Sequence, residues 1–184
     1  MRKNIFFIIV LLFVITSCAT VDFYNIKNEE KNISGIKGYL IQFDIEDMKL
    51  RNSLETELVK RISNNGKKAK ESILLFPPIR EYTAVEIMEK CIAENLNAKI
   101  LITLENVENE KAFMFMYGIL MPVSTSNYTF DMKIIDINDN QIIIHSTIKT
   151  EGDSLKYICS QLSKKIVNEL LKEEEKETLK EQGI

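Results

Sequence analysis

Apolar residues recur at helical spacing in three stretches of this chain, and each stretch predicts a helix that packs one face onto a core. The first helix follows Asp44, Glu46 and Asp47, whose carboxylates suit a helix start, and ends near Gly66. The second begins at Thr83, which has the spacing of a capping box with Glu86. The last begins after Gly152. The predicted core positions are Leu50, Leu54, Leu58 and Ile62, then Ile87, Met88, Cys91 and Ile92, then Leu155, Ile158, Cys159, Leu162, Ile166 and Leu170.

Short apolar runs between these helices indicate strands. The first is 39–43, and the second is the wholly apolar run 73–76, as expected of a strand that is buried on both faces. The third is 98–104, and a charged loop is predicted to follow it over 105–111. Strand, helix, strand, helix, strand within one short span predicts crossover units on a partly parallel sheet.

The pattern changes towards the carboxyl end, where a hairpin is predicted. A strand from Tyr128 to Ile137 and its partner from Ile142 to Ile148 flank Asn138-Asp139-Asn140, which is a turn signal. Together the elements predict an α/β (α+β) fold. In this fold three helices pack on a mixed five- to six-stranded sheet, in the order β-α-β-α-β-β-β-β-α.

The stretch from Phe113 to Met121 alternates aromatic residues with methionine, so both faces of a strand there are apolar. A central strand with a layer on each face explains this pattern. An exposed apolar hairpin arm used for self-association or membrane contact explains it too, because large exposed apolar patches mark binding surfaces and methionine adapts to varied partners. Both interpretations stay open. The predicted contact residues on the second are Phe113, Phe115, Met116 and Tyr117.

The amino-terminal segment has the pattern of a signal peptide. Arg2 and Lys3 precede the uncharged apolar run 5–15, which is shorter than the roughly 20 residues that a membrane-spanning helix needs. Ile15-Thr16-Ser17-Cys18 follows and resembles the bacterial lipobox at all four positions. That resemblance implies cleavage before Cys18 and a covalent lipid on Cys18, with no other cofactor. Two or three acyl chains would hold the domain on a membrane stably.

The expected organisation is a signal peptide at 1–17, a lipidated tether at 18–36, a single α/β domain at 37–177 and a polar tail at 178–184. Ala19 stands where an aspartate favours inner-membrane retention in enteric-type bacteria. The expected location is therefore the cell envelope, on the outer membrane facing the periplasm.

Charge and cysteine content bear on the class of partner and on the state of the thiols. The chain has 24 basic and 27 acidic residues. Loss of Arg2 and Lys3 on cleavage would leave 22 against 27, a net charge of −5. This mildly acidic balance argues against a nucleic-acid partner. Of three cysteines, Cys91 and Cys159 would remain unlipidated, on apolar helix faces that favour two buried free thiols over a disulfide.

No motif names a reaction or a metal. His145, the only histidine, lacks an evident catalytic partner in the sequence. The run from Asp136 to Asn140 mimics the first half of a calcium loop, but Gln141 and Thr147 stand where the motif needs glycine and glutamate. The run 173–175 of three glutamates is expected to be a solvated helix face that protrudes beyond the core.

The order of elements resembles a group of bacterial envelope lipoprotein domains. The group includes the amino-terminal domain of TolB, the curli secretion-channel lipoprotein and lipoprotein activators of penicillin-binding proteins. Three stretches carry the resemblance: Leu50 to Gly66, Asn95 to Ile102, where aspartate is commoner than Asn97 or Lys99, and the hairpin from Phe130 to Ser146. The resemblance implies three helices on a mixed sheet and membership of envelope assemblies, and transfers no catalytic residue.

The sequence therefore predicts a membrane-anchored envelope lipoprotein that acts as a non-enzymatic binding or assembly module. Its expected partners are the membrane, through the lipid on Cys18, and either an envelope protein or a second copy. A subunit of an oligomeric secretion or transport complex is the alternative. A hydrolase is less favoured, because the serines stand in no Gly-x-Ser-x-Gly motif and the sequence has no histidine pair for zinc.

Overall fold

A computed structural model describes residues 21–28, 30–116, 119–152, 155–181 and 183, and for 21, 110–116, 119–125, 155, 156 and 181 it describes the backbone alone. The strands are β1 (Val21–Lys27), β2 (Gly38–Asp44), β3 (Lys68–Glu71), β4 (Ala98–Met116), β5 (Ile119–Asp136) and β6 (Ile142–Gly152). The helices are α1 (Met48–Asn64), α2 (Ser72–Leu75), α3 (Ala84–Ala93) and α4 (Leu155–Glu181).

All six described strands form one mixed sheet in the order β1-β6-β5-β4-β2-β3. The strands β3, β2 and β4 run parallel, whereas β4, β5, β6 and β1 pair antiparallel. Three long helices and the short α2 complete an α+β fold, which confirms the predicted class.

Two apolar clusters cover the sheet. The larger one joins the buried stripes of α1 and α4 to the sheet residues Ile41, Phe43 and Phe130. A smaller cluster on Leu40 includes Leu75 and Cys91, and so places α2 and α3 against the parallel corner. Most of the predicted core positions in α1 and α4 are buried, whereas Ile92 of α3 is 53% exposed.

The predicted helix starts are confirmed by their caps. The Asp47 carboxylate accepts hydrogen bonds from the backbone N–H groups of Lys49 and Leu50. Thr83 and Glu86 form both bonds of a capping box at the start of α3. Gly66 follows α1 with φ of 80°, a left-handed conformation that glycine adopts without strain.

The strand predicted at 73–76 is wrong. Residues 72–75 form α2 instead, and Leu74 is 69% exposed. The strand in this region is the polar segment β3, which pairs with β2 at the edge of the sheet. The turn of α2 is held by Glu55 of α1, whose buried carboxylate accepts bonds from Ser72 Oγ at 2.8 Å and Ile73 N at 2.9 Å.

Residues 21–27, which the polar composition assigns to the tether, form β1 instead and pair with β6 along their whole length. Ile33 is fully buried in the main cluster and Ile36 nearly so. Lys27 of β1 forms ion pairs with Glu173 and Glu177 of α4. The folded unit therefore begins well before residue 37.

The expectation that α4 protrudes into solvent beyond its apolar stripe is also wrong. Glu177 is 7% exposed, and its carboxylate accepts a bond from Ser34 N at 2.8 Å. Glu174 pairs with Lys67 at 3.1 Å and lies 3.4 Å from the hydroxyl of the buried Tyr39. Burial and the two nearby carboxylates raise the pKa of Tyr39 well above its ordinary value.

Candidate interaction site

The charged residues 105–111, predicted to form a loop, continue β4 instead, and β4 and β5 make a single long hairpin. Only Ala98–Thr103 of β4 pair with β2, and β5 pairs with β6 only from Ser126 onwards. Residues 110–116 and 119–125, called the arm below, therefore pair only with each other among the described strands. The arm projects beyond the sheet as a two-stranded ribbon.

The arm holds the apolar stretch that the sequence singled out. Phe113 lies opposite Pro122, Phe115 opposite Leu120, and Met116 opposite Ile119. Tyr117, the fourth predicted contact residue, lies outside the described residues. The predicted apolar strand is thus the end of a hairpin rather than one strand of the sheet.

Within the arm, polar and apolar residues are separated along its length. The ten residues 112–116 and 119–123 include no charged side chain, and this segment is called the arm tip below. Glu110, Lys111, Ser124 and Thr125 stand at the arm's base. Just below them, Ser126 Oγ donates to Asn109 Oδ1 at 2.7 Å and Asn106 Nδ2 donates to Glu108 Oε1 at 2.9 Å. An apolar tip on a polar shaft is the arrangement of a contact element.

In this ribbon two backbone edges are paired with no other strand that the structure describes. In β4 the unpaired edge begins after Thr103, and in β5 it covers the residues before Ser126. An isolated hairpin is only marginally stable in water, and an exposed apolar edge recruits another chain or surface. The arm is therefore a place where a partner could add to the sheet.

One face of the sheet is partly open. The helices α1 and α4 cover one face of the sheet, and α2 with α3 covers only the parallel corner of the other. Over β1, β6 and β5 the other face is open: Tyr24 is 60% and Ile26 73% exposed. These lie opposite Thr147 and His145 of β6.

His145 lies on this open face with a carboxylate beside it. One oxygen of Asp131 contacts His145 Nε2, and the other accepts a bond from Lys133 Nζ at 2.6 Å. Burial raises the pKa of Asp131, but the bonds from Lys133 and His145 outweigh it and hold the pKa below the ordinary value. Both oxygens of the buried Asp131 carboxylate are thus bonded to side chains of the sheet.

The half calcium loop is a plain turn. Asn138 N bonds to Asp136 Oδ1 at 2.9 Å, and Asn140 adopts a positive φ of 58°. Lys31 forms ion pairs with both Asp136 and Asp139, so a side-chain cation already neutralises these carboxylates. Within the described ranges no three acidic, histidine or cysteine residues are grouped to hold a metal.

The cysteines are placed as the sequence indicates. Cys91 and Cys159 are free and fully buried, which confirms the prediction of two free thiols. Burial raises the pKa of Cys159 to about 12 and raises that of Cys91 as well. Cys18, the predicted lipidation site, lies outside the described residues.

One surface groove was not indicated by the sequence. It follows Pro77-Pro78, has a volume of about 340 Å³, and is lined by Arg80, Tyr82, Glu86, Glu89 and Lys90. The Arg80 guanidinium lies 4.0 Å from the centre of the Tyr82 ring and pairs with Glu86 at 2.9 Å, while Lys90 Nζ donates to the Leu75 carbonyl at 2.7 Å. These contacts satisfy the cations within the chain. The residues between the two prolines and α3 are Ile79-Arg80-Glu81-Tyr82-Thr83, which form no motif that indicates a groove.

No helix in the described part of the chain has the length and hydropathy required to cross a membrane. No protein-family model matches the sequence, and no curated protein matches it.

The fold, however, is similar to solved structures. The chain matches the PelC dodecamer from Paraburkholderia phytofirmans with a TM-score of 0.52 and 12% identity, over 82% of this chain and 97% of that one. A variant of the same protein in another crystal form gives a TM-score of 0.50 and 14% identity, over 82% and 98%. Lipoprotein GNA1162 from Neisseria meningitidis gives a TM-score of 0.43 and 11% identity, over 73% and 98%. At these identities the likeness to PelC is one of fold: this chain has the architecture of the PelC subunit.

Proposed function

We propose that this protein is a lipid-anchored lipoprotein of the bacterial cell envelope whose folded domain acts as a non-enzymatic binding and assembly module. The observation that carries the proposal is the arm. It projects from the sheet with an uncharged tip and two unpaired edges, which is a geometry for contact rather than for catalysis.

The sequence before the fold supports the anchor. Ile15-Thr16-Ser17-Cys18 matches the lipobox pattern, and β1 begins only three residues after Cys18. A lipid on Cys18 would therefore hold the edge of the sheet close to a membrane. Ala19 supports the outer membrane, on its periplasmic side, as the location.

The polar clusters support a binding role over an enzymatic one. Asp131 uses both oxygens on Lys133 and His145, and the buried Glu55 carboxylate accepts bonds from groups of β2, α1 and α2. Because these two carboxylates already bind partners within the fold, a structural role suits both residues.

A second candidate is a subunit of an oligomeric secretion or transport complex. The fold likeness to the PelC dodecamer favours it, since a chain of this architecture forms a dodecamer in that protein. The unpaired edges of the arm would suit contact between copies.

The native, full-length protein tests both candidates. Cys18→Ser should abolish incorporation of radioactive palmitate and leave the signal peptide uncleaved. Crosslinking of the lipidated protein in whole cells, followed by affinity purification, should recover discrete partners or a fixed multiple of the chain. Palmitate labelling that persists in the Cys18→Ser protein would remove the anchor, and a strictly monomeric, uncrosslinked protein would remove the assembly role.

A further inference from the structure

The arm and the start of β1 lie at the same end of the sheet. Val21, the first residue of β1, pairs with Thr150 of β6. Thr150 pairs with Tyr128 of β5, and Tyr128 pairs with Val107 of β4. Val21 and Val107 therefore lie at the same height along the strands. Beyond Val107 the hairpin of β4 and β5 continues towards the side of the sheet from which the chain enters after Cys18.

Two lengths can be compared at this end. Along β4, Met116 is nine residues beyond Val107, which is about 30 Å at the rise of an antiparallel strand. Cys18 is three residues before Val21, and a fully extended chain of that length spans at most about 11 Å. Measured along the strands, the arm tip thus reaches about 20 Å farther than the α-carbon of Cys18 can.

We propose that the arm tip contacts the same membrane leaflet that holds the lipid on Cys18, and so forms a second, non-covalent attachment of this domain to the membrane. This inference rests on the proposed lipid anchor and names the partner of the arm. Because the arm tip reaches about 20 Å farther than the α-carbon of Cys18 can, the arm meets the lipid surface at a slant when the acyl chains of Cys18 are in the leaflet.

The composition of the arm fits an interfacial position. The ten uncharged residues of the tip end at Lys111 and Ser124, so polar groups begin where the arm would leave the lipid. Hydrocarbon excludes unpaired backbone edges, whereas the headgroup region still supplies hydrogen-bonding partners. The arm tip therefore lies in the boundary region, where apolar faces are buried about 5–10 Å deep, rather than across the membrane.

Charge points to the same kind of attachment. The polar shaft below the arm tip comprises residues 105–111 and 124–128. It includes Glu108 and Glu110, and Lys111 is its one basic residue, so attraction to anionic headgroups is not the source of binding. Contact through the arm tip is expected to be insensitive to salt and to proceed on zwitterionic lipid.

The test uses the full-length lipidated protein in phosphatidylcholine liposomes, with one environment-sensitive fluorophore on an introduced cysteine. Leu120→Cys places the probe on the arm tip, and Ala112→Cys is a second, smaller change there. Ser63→Cys is the matched control, because Ser63 is exposed near the end of α1, at the opposite end of the sheet. Cys91 and Cys159 are fully buried and stay unlabelled in the folded protein.

Lipids that carry a spin label near the headgroup should quench the arm probes about threefold or more over the Ser63 control, because the tip lies in the boundary region. This quenching should persist at high salt.

Equal quenching at all three sites would overturn the inference, as would arm probes that transfer energy between copies without being quenched by lipid, since a second copy would then occupy the arm. Palmitate labelling of the same samples separates the two proposals: labelled protein with unquenched arm probes rejects only the membrane contact, and unlabelled protein rejects the anchor and this inference together.

Discussion

The carboxylate of Glu55 accepts a 2.8 Å hydrogen bond from Ser72 Oγ, and this contact joins α1 to the first turn of α2. The same carboxylate accepts bonds from Phe43 N at 3.1 Å and from Arg51 Nε at 3.0 Å. Glu55 is fully buried, so its carboxylate oxygens depend on these donors for their hydrogen bonds. One side chain therefore fixes the end of β2, the start of α2 and the position of α1.

Glu55→Gln should destabilise the protein by about 3 kcal/mol, because an amide removes the charge and turns N–H groups towards donors in a buried site. Urea unfolding followed by circular dichroism measures the change. Glu57→Gln is the control. Glu57 pairs with Arg61, which lies one turn later on the half-exposed side of α1, so this change should cost less than about 1 kcal/mol. Equal losses for the two variants would contradict the role given to Glu55.

The Glu55–Ser72 contact also explains why local pattern misplaced α2. The run Ile73-Leu74-Leu75-Phe76 has the composition of a buried strand, and its helical turn is set by a carboxylate 17 residues earlier. The paired strand β3 is polar and lies at an edge, where hydrophobic periodicity is weak. Tertiary contacts decided both elements, whereas α1 and α3 carry their own caps and were predicted correctly.

β1 was missed for a related reason. Its polar residues are held by distant partners: Ser146 Oγ donates to Asn25 Oδ1 at 2.6 Å, and Lys27 pairs with Glu173 and Glu177. These partners lie far away in the sequence, so the local pattern of residues around β1 does not include them. The apolar arm was identifiable from residues 113–121, but its projection was not, because the charged residues of β4 resemble a loop until their pairing with β5 is known.

Gly38→Ala should destabilise the fold by about 1–3 kcal/mol, the usual cost of forced overpacking. A β-carbon at this position would lie 2.8 Å from the Asn95 carbonyl oxygen and 2.9 Å from Leu96 Cδ2. At Gly35, the control, the nearest atom would be 4.0 Å away, so Gly35→Ala should change the melting temperature little. Thermal melts of the two variants compare the sites, and a larger loss at Gly35 would refute the packing argument.

Asp131→Asn should flatten the dependence of stability on acid pH. The folded-state pKa of Asp131 is lowered, because the bonds from Lys133 and His145 outweigh its desolvation. A lowered pKa contributes stability above the unfolded value, near 3.8, and this contribution is lost as the pH falls through the folded value. As the pH is lowered from neutral to a series of values below about 5, the urea midpoint should therefore fall more steeply for the wild type than for Asp131→Asn. Lys133→Gln, which removes one of the two side chains bonded to the Asp131 carboxylate, should lie between them; parallel curves for all three proteins would contradict the prediction.

Cys91 and Cys159 should be unreactive in the folded protein and both reactive once it is denatured. The structure buries both thiols, and the pKa of Cys159 is raised to about 12, so little thiolate forms at neutral pH. Titration with a chromogenic disulfide before and after denaturation, without reductant, counts the groups. No reactive group after denaturation would mean that the two are bonded to each other.

Phe115→Asp should leave the melting temperature nearly unchanged, because Phe115 lies in the arm and pairs there only with Leu120, outside the sheet. Phe130→Asp is the matched change in the same hairpin. Phe130 is fully buried in the main cluster, where loss of a phenylalanine side chain costs about 3–5 kcal/mol before any charge is buried. Thermal melts of the two variants therefore separate an arm from a core.

The same Phe115→Asp protein then tests what the arm does. A carboxylate within the uncharged tip should weaken contact with lipid or with a second copy, since a buried unpaired charge is costly in either setting. Flotation with liposomes and analytical sedimentation measure the two contacts on protein that is still folded. If Phe115→Asp instead prevents folding as Phe130→Asp should, the apolar stretch belongs to the core and the binding surface must be sought on the open sheet face around Tyr24 and Ile26.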